Sequence, residues 1–70
     1  MTDSQIIEVI KNRRRKMGIT QQQLGDILGV KRQYVSMVEQ RKKVPTIATL
    51  VRICDALGLD VNIIPKDGSA

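Results

Sequence analysis

Residues 21–40 hold two short helical patterns with almost no chain between them, and this spacing constrains the fold more than any other feature of the sequence. The first pattern ends at Gly29, which can adopt the left-handed conformation that a sharp turn after a helix requires. Gly25 stands inside the first pattern, where glycine costs about 1 kcal/mol relative to alanine, so we expect another stretch of backbone to pass close to it. Because the connection is too short for an antiparallel hairpin, the pattern predicts two helices that cross steeply.

Helical spacing and capping residues predict two further helices around this pair. In chain order, the first helix is predicted over residues 4–17. The second helix, which is the first member of the pair, begins after Thr20, which forms a capping box with Gln23. The third is predicted over residues 31–40, and Thr46 is placed to cap the fourth. The predicted core consists of the apolar residues on the inner face of each helix: Ile6, Ile7, Ile10 and Met17; Leu24, Ile27 and Leu28; Val30, Val35 and Val38; Ile47, Leu50, Val51, Ile53, Cys54 and Leu57.

The C-terminal segment departs from the helical pattern. Val61, Ile63 and Ile64 are β-branched residues within four positions, and Pro65 ends the run. Since nothing else in the chain has the pattern of a strand, we expect this strand, which also contains Asn62, to pair with the same strand of a second copy. The alternatives are an extended tail packed over the core and a fifth short helix.

These elements define the predicted fold class and its boundaries. We expect an all-α domain of four to five helices over residues 1–59, a dimerisation strand over residues 60–65 and a disordered tail over residues 66–70. A chain of 70 residues buries only about 60% of the surface that its unfolded form exposes. With one cysteine, Cys54, and no histidine, the sequence offers neither an internal disulfide nor a Cys/His zinc site. We therefore expect the domain to gain stability as a homodimer.

The positive charge of the chain is concentrated in its middle. The formal net charge is +5, but residues 11–43 carry ten basic and two acidic side chains, a local charge of +8. A positive segment between acidic ends favours a polyanionic partner bound on one surface. The alternative is a solvated basic face, or a localisation signal formed by the basic run at residues 11–16.

The composition argues against several classes of function. The sequence has no histidine and only two glutamates, and its five aspartates occur singly, so we expect no enzymatic activity, no metal site and no cofactor. Tyr34 is the single aromatic residue, which disfavours a stacking platform for single strands and leaves duplex DNA as the expected nucleic acid. Neither a membrane-length apolar run nor a basic N-terminal signal region is present in the sequence, and we expect a cytoplasmic protein.

Several short motifs fall in register along the chain: Gly18-Ile19-Thr20-Gln21-Gln22-Gln23-Leu24-Gly25, Leu28-Gly29-Val30, Val35-Ser36-Met37-Val38-Glu39, Pro45-Thr46 and Ala56-Leu57-Gly58. Through these motifs the chain resembles the lambda-repressor-like helix-turn-helix domains of the Xre and Cro/CI type. The resemblance covers residues 6–59. The alternative is a small helical bundle whose glycine spacing is incidental.

The resemblance implies which residues contact DNA. The third helix is then the recognition helix, whose N-terminal residues meet base edges in the major groove. Arginine suits the guanine edge and glutamine the adenine edge. Lys31 stands where the family usually has Ser or Thr, so the cap of this helix is atypical. The expected base contacts are Lys31, Arg32, Gln33, Ser36 and Met37. The expected phosphate contacts are Gln21, Arg13, Tyr34, Arg41, Lys42 and Lys43, with the alternative for Tyr34 that its ring covers the edge of the core.

Two further features follow from resemblance. Arg14 and Glu39 match a family pair in which an arginine of the first helix binds the glutamate that ends the recognition helix, so we expect a structural ion pair. Residues 57–65 resemble the strand ending of HipB-like antitoxins.

The leading hypothesis is a homodimeric repressor that binds a palindromic operator in double-stranded DNA. The alternative is the antitoxin of a toxin-antitoxin pair, which binds a protein toxin and represses its own operon.

Overall fold

The computed structural model describes residues 2–66 of the chain. This part contains four helices: α1 (Asp3–Lys16), α2 (Gln21–Leu28), α3 (Arg32–Glu39) and α4 (Ile47–Ala56). The four helices predicted from the sequence are confirmed, with ends that differ by one or two residues. None of them is long and apolar enough to cross a membrane. The predicted disordered tail falls mostly on residues 67–70, which lie outside the described residues.

Threonine side chains cap three of the four helices. Thr20 Oγ1 accepts a hydrogen bond from the backbone N–H of Gln23 at 3.0 Å, and Gln23 Oε1 accepts from the Thr20 N–H at 2.8 Å, which is the predicted capping box. Thr46 caps α4 through the N–H of Thr49. The N-cap of α3 is Lys31, whose side chain makes no capping bond. Helix α3 therefore begins with a long basic side chain that is available for other contacts.

The junction of α2 and α3 is built around Gly25. A Cβ atom at this position would lie 2.8 Å from the carbonyl oxygen of Val30, closer than real Cβ atoms approach. The Val30 N–H donates to the Gly25 carbonyl at 2.9 Å, and Gly29 takes the left-handed conformation with φ 73°. The predicted close approach and the predicted left-handed turn are both confirmed. This turn places α3 across α2 and directs the N-terminus of α3 outward.

The core lies where the inner faces of the four helices meet. Its most deeply buried large side chains are Leu24 and Leu57. Four predicted core residues are wrong, because their side chains are exposed: Met17, Ile27, Ile47 and Val51. The described helices are too short and too few to cover every apolar face. The buried apolar residues are Ile7, Ile10, Leu24, Leu28, Val35, Val38, Ile53, Cys54 and Leu57.

The segment after α4 forms neither a helix nor a strand in the single chain. Residues 60–65 have no regular secondary structure, so the described residues contain no fifth helix. Val61, Ile63 and Ile64 are exposed, Ile63 to 97%, which argues against a tail packed over the core. No other described segment offers a sheet edge to this one. A strand formed with a second copy therefore stays a prediction.

Candidate nucleic-acid interface

The N-terminus of α3 presents three adjacent polar side chains to solvent. Lys31, Arg32 and Gln33 are exposed, and among the described residues no side-chain hydrogen bond or ion pair engages them. The opposite face of the same helix carries Val35 and Val38, which are buried in the core. Packing of these valines fixes the orientation of the helix, so the exposed row has a defined direction.

The next turn of α3 adds one hydroxyl and one thioether group. Ser36 is half-buried, and its Oγ accepts a hydrogen bond from Gln40 Nε2 at 2.8 Å. Met37 is exposed and lies four residues after Gln33. Residues four apart share a helix face, so Met37 continues the surface that begins at the helix N-terminus.

An ion pair joins this helix to α1. Arg14 Nε donates to Glu39 Oε2 at 2.6 Å and Arg14 Nη2 donates to Glu39 Oε1 at 2.9 Å. The third arm of the guanidinium, Nη1, donates to the Ile19 carbonyl at 2.8 Å, and both charged residues are buried. Burial alone would raise the pKa of the Glu39 carboxyl, but hydrogen bonds from Arg14 and Gln21 hold that pKa below its ordinary value. The hydrogen bond to Glu39 likewise raises the pKa of Arg14. Both groups are therefore charged at neutral pH.

Gln21 connects α2 to the same pair. It is the first residue of α2, and its Nε2 donates to Glu39 Oε1 at 3.1 Å. The contact holds the side chain at the helix N-terminus, where the unpaired backbone N–H groups favour an anion. The structure thus brings Gln21 together with the ion pair, a link that the sequence did not indicate.

Two arginines expected on phosphates are occupied by contacts within the chain. Arg13 Nε donates to the Leu57 carbonyl at 2.9 Å, which joins α1 to the end of α4. Arg41 Nη2 donates to the Ser4 carbonyl at 3.2 Å and approaches Glu8 Oε2 at 3.3 Å. Leu57 is the C-cap of α4, where main-chain carbonyls lack intrahelical partners, whereas Ser4 lies in the first turn of α1. Neither partner could be identified from spacing along the chain.

The loop between α3 and α4 adds two lysines beside the recognition helix. The backbone N–H groups of Lys42 and Lys43 donate to the Met37 carbonyl at 2.9 and 3.3 Å, which ties the loop to the end of α3. Lys43 Nζ lies 5.5 Å from the centroid of the Tyr34 ring, and that ring is half-buried against the core. The candidate interface is therefore a continuous basic surface made by α3 and this loop.

Comparison with known proteins agrees with this geometry. A family model described as Helix-turn-helix matches residues 10–64. The chain is 32% identical to the ImmF control region 10 kDa protein of Bacillus phage phi105, with 80% of this chain and 62% of that protein aligned, so it spans about three fifths of that relative. It is also 32% identical to an uncharacterized HTH-type transcriptional regulator of Methanothermobacter thermautotrophicus, over 87% of this chain and 94% of the relative.

A third relative is the uncharacterized HTH-type transcriptional regulator YgzD of Bacillus subtilis, 34% identical over 71% of this chain and 76% of the relative. No solved structure matches the chain. The family match covers α2, α3 and the short turn between them. This chain therefore belongs to the lambda-repressor-like helix-turn-helix family of DNA-binding transcriptional regulators.

Proposed function

We propose that the chain is a sequence-specific transcriptional repressor that acts as a homodimer on a palindromic operator in double-stranded DNA. The observation that carries the proposal is the exposed row of Lys31, Arg32 and Gln33 on a helix whose other face is buried. An α-helix fits the major groove, and the N-terminal residues of a recognition helix reach base edges there. Arg32 reads guanine through O6 and N7, and Gln33 reads adenine through N6 and N7.

The surrounding basic residues supply contacts to the DNA backbone. Lys42 and Lys43 lie on the loop after the recognition helix, Lys43 Nζ lies over the Tyr34 ring, and Gln21 occupies the N-terminus of α2. Phosphate contacts of this kind fix the register of the protein on the duplex without reading sequence. Arg13 and Arg41 use one guanidinium nitrogen each for contacts within the chain, Nε and Nη2, and their other N–H groups are the expected phosphate donors.

A two-fold operator requires two recognition helices in one complex. Half-sites for such dimers lie one helical turn of DNA apart, about 34 Å, so a dimer reads an inverted repeat. The exposed residues Val61, Asn62, Ile63 and Ile64 supply a strand that pairs across the two-fold axis. The name of the phage relative, a control region protein, supports a regulatory role. This role places the protein in the cytoplasm with its DNA.

Titration of labelled duplexes at several salt concentrations tests the proposal. The duplexes are the DNA immediately upstream of the gene and a shuffled sequence of the same composition. We expect the upstream inverted repeat to bind at least about 1,000-fold more tightly than the shuffled duplex, since specific sites exceed non-specific ones by that much or more. Affinity that falls with salt but never depends on sequence would contradict the proposal.

The exposed tail also favours a second candidate function. Ile63 and Ile64 are apolar and solvent-exposed, and they lie within the segment 57–65 that resembles the ending of HipB-like antitoxins. An antitoxin would bind a protein toxin and repress its own operon through the same recognition helix. A toxic neighbouring reading frame whose product co-purifies with this chain supports the antitoxin function, and their absence leaves the repressor alone.

A further inference from the structure

The outer face of α4 carries an apolar patch that the DNA interface does not use. Ile47 is 82% exposed and Val51 is 38% exposed. Ala48 is also exposed, and positions 47, 48 and 51 lie on one face of a helix. The opposite face of α4 packs into the core through Ile53. We call Ile47, Ala48 and Val51 the outer α4 face.

We propose that the outer α4 face packs antiparallel against the same face of a second copy, across a two-fold axis. The inference rests on the proposed homodimer and names its helical interface. An isologous contact requires a surface that is complementary to itself. With the axis crossing the outer α4 face at the level of residue 49 along the helix, Ile47 of each copy lies opposite Val51 of the other, so apolar side chains meet apolar side chains on both sides. The small side chain of Ala48 lets the two helices approach closely.

The charge pattern of α4 favours its own copy over an unrelated partner. Asp55 is exposed in the last turn of α4, on the same side as Val51. A carboxylate there lies at the negative end of its own helix dipole, which is unfavourable. In the antiparallel pair, Asp55 lies beside the N-terminus of the other α4, where a negative charge is favourable. The same arrangement repeats on the other side of the axis.

The position of the tail is consistent with the same axis. Residues 61–64 follow the end of α4 after four intervening residues and are themselves exposed and mostly apolar. A two-fold axis beside α4 therefore brings the helical face and the predicted strand into one continuous interface. Burial of both would give a chain of 70 residues the additional core that a domain of this size lacks.

Sedimentation equilibrium of two matched variants of the full chain tests the proposal. Ile47→Lys places a charge in the centre of the outer α4 face, while Ile27→Lys places the same charge on an exposed isoleucine of α2. We expect Ile47→Lys to raise the dimer dissociation constant by about 100-fold, because the symmetry applies the substitution twice, at about tenfold for each buried ammonium group. Ile27→Lys should leave the constant within about twofold. Ile47 is exposed in the single chain, so circular dichroism should show both variants equally helical.

Three results would overturn the proposal: a wild-type chain that is monomeric throughout the concentration range, an Ile47→Lys variant that dimerises as well as wild type, and equal weakening by both substitutions. A chain ending at Leu59 separates the contribution of the tail from that of α4. If this truncated chain is monomeric and the Ile47→Lys variant still dimerises, the interface is formed by the tail alone and the proposal is wrong. The experiment contains no DNA, so its outcome is independent of sequence-specific binding. A dimer weakened by Ile47→Lys alone supports the interface even if no operator is bound.

Discussion

The guanidinium of Arg14 and the carboxylate of Glu39 form a buried, two-bond ion pair, with Nε to Oε2 at 2.6 Å and Nη2 to Oε1 at 2.9 Å. Arg14 belongs to α1 and Glu39 is the last residue of α3, so the pair fixes the recognition helix to the first helix. Gln21 adds α2 through its own hydrogen bond to Glu39. The pair and this hydrogen bond thus hold α1, α2 and α3 together.

Replacing one member of this pair should be strongly destabilising. Glu39→Gln leaves the Arg14 guanidinium buried without a compensating charge, and we expect a loss of about 3 kcal/mol in the free energy of unfolding. Replacing both charges, as Arg14→Met with Glu39→Leu, should recover most of that loss, since apolar residues of similar size remove the desolvation cost. Urea denaturation measures both variants. Equal stability of Glu39→Gln and wild type would show that the pair contributes nothing.

The same pair predicts the direction of the pH dependence. The pKa of Glu39 is lowered in the folded chain, so its contribution is fully present above the unfolded value of about 4.3 and is lost as pH falls through the folded pKa. We expect the stability difference between wild type and Glu39→Gln to stay constant from about pH 5.5 to 8 and to shrink in more acidic solution. Thermal unfolding of wild type and Glu39→Gln, followed from about pH 8 into acidic solution, measures this stability difference. A difference that grows on acidification would contradict the assignment.

Gly25 should not tolerate even one added methyl group. Alanine favours helix over glycine by about 1 kcal/mol, but its Cβ would lie 2.8 Å from the Val30 carbonyl oxygen, and a backbone atom cannot move aside without shifting α3. We expect Gly25→Ala to lower the free energy of unfolding by about 1 to 3 kcal/mol through this overpacking. Ala56→Gly is the contrasting control, because it removes a methyl group instead of adding one, and its cost comes from helix propensity and lost packing on the core. Chemical denaturation of both variants provides the comparison, and a stabilised Gly25→Ala would disprove the close approach.

Local chemistry explains which parts of the fold could be predicted from the sequence. The capping box at Thr20, the turn at Gly29 and the close approach at Gly25 each depend on residues within a few positions of one another. The resemblance added the pairing of Arg14 with Glu39, which are 25 residues apart. These features determine how α1, α2 and α3 meet, and they place the candidate recognition surface.

The features that could not be predicted depend on which surfaces the other helices cover. Ile27 and Ile47 have the helical spacing of core residues, yet both are exposed. Periodicity identifies the apolar face of a helix, but it does not tell whether another helix covers that face. The contact from Arg13 to the Leu57 carbonyl joins residues 44 positions apart. The expectation for Arg41 was a phosphate contact. Its position just after α3 gives it a positive φ, and its side chain contacts α1.

Arg41 occupies a position that favours glycine. Its φ is 62°, its N–H donates to the Val38 carbonyl and the next N–H donates to Met37, which is a Schellman ending of α3. We expect Arg41→Gly to raise the free energy of unfolding by about 1 kcal/mol by relieving left-handed strain. Loss of the exposed ion pair with Glu8 should offset little of this gain, and Glu8→Gln measures that part separately. A destabilised Arg41→Gly variant accompanied by an equally destabilised Glu8→Gln would show that the ion pair outweighs the strain.

Arg32 and Lys42 should differ in what they contribute to DNA binding, although each substitution removes one positive charge. Arg32→Ala removes a bidentate contact to a base, so we expect about 1 to 3 kcal/mol less discrimination at one operator position. Lys42→Ala removes a phosphate contact, so operator and shuffled duplexes should weaken alike and the salt slope of log K should lessen by about 0.9. Titration of both variants against the operator and its single-base substitutions separates these effects. If the two variants lose the same discrimination, α3 is not the helix that reads the bases.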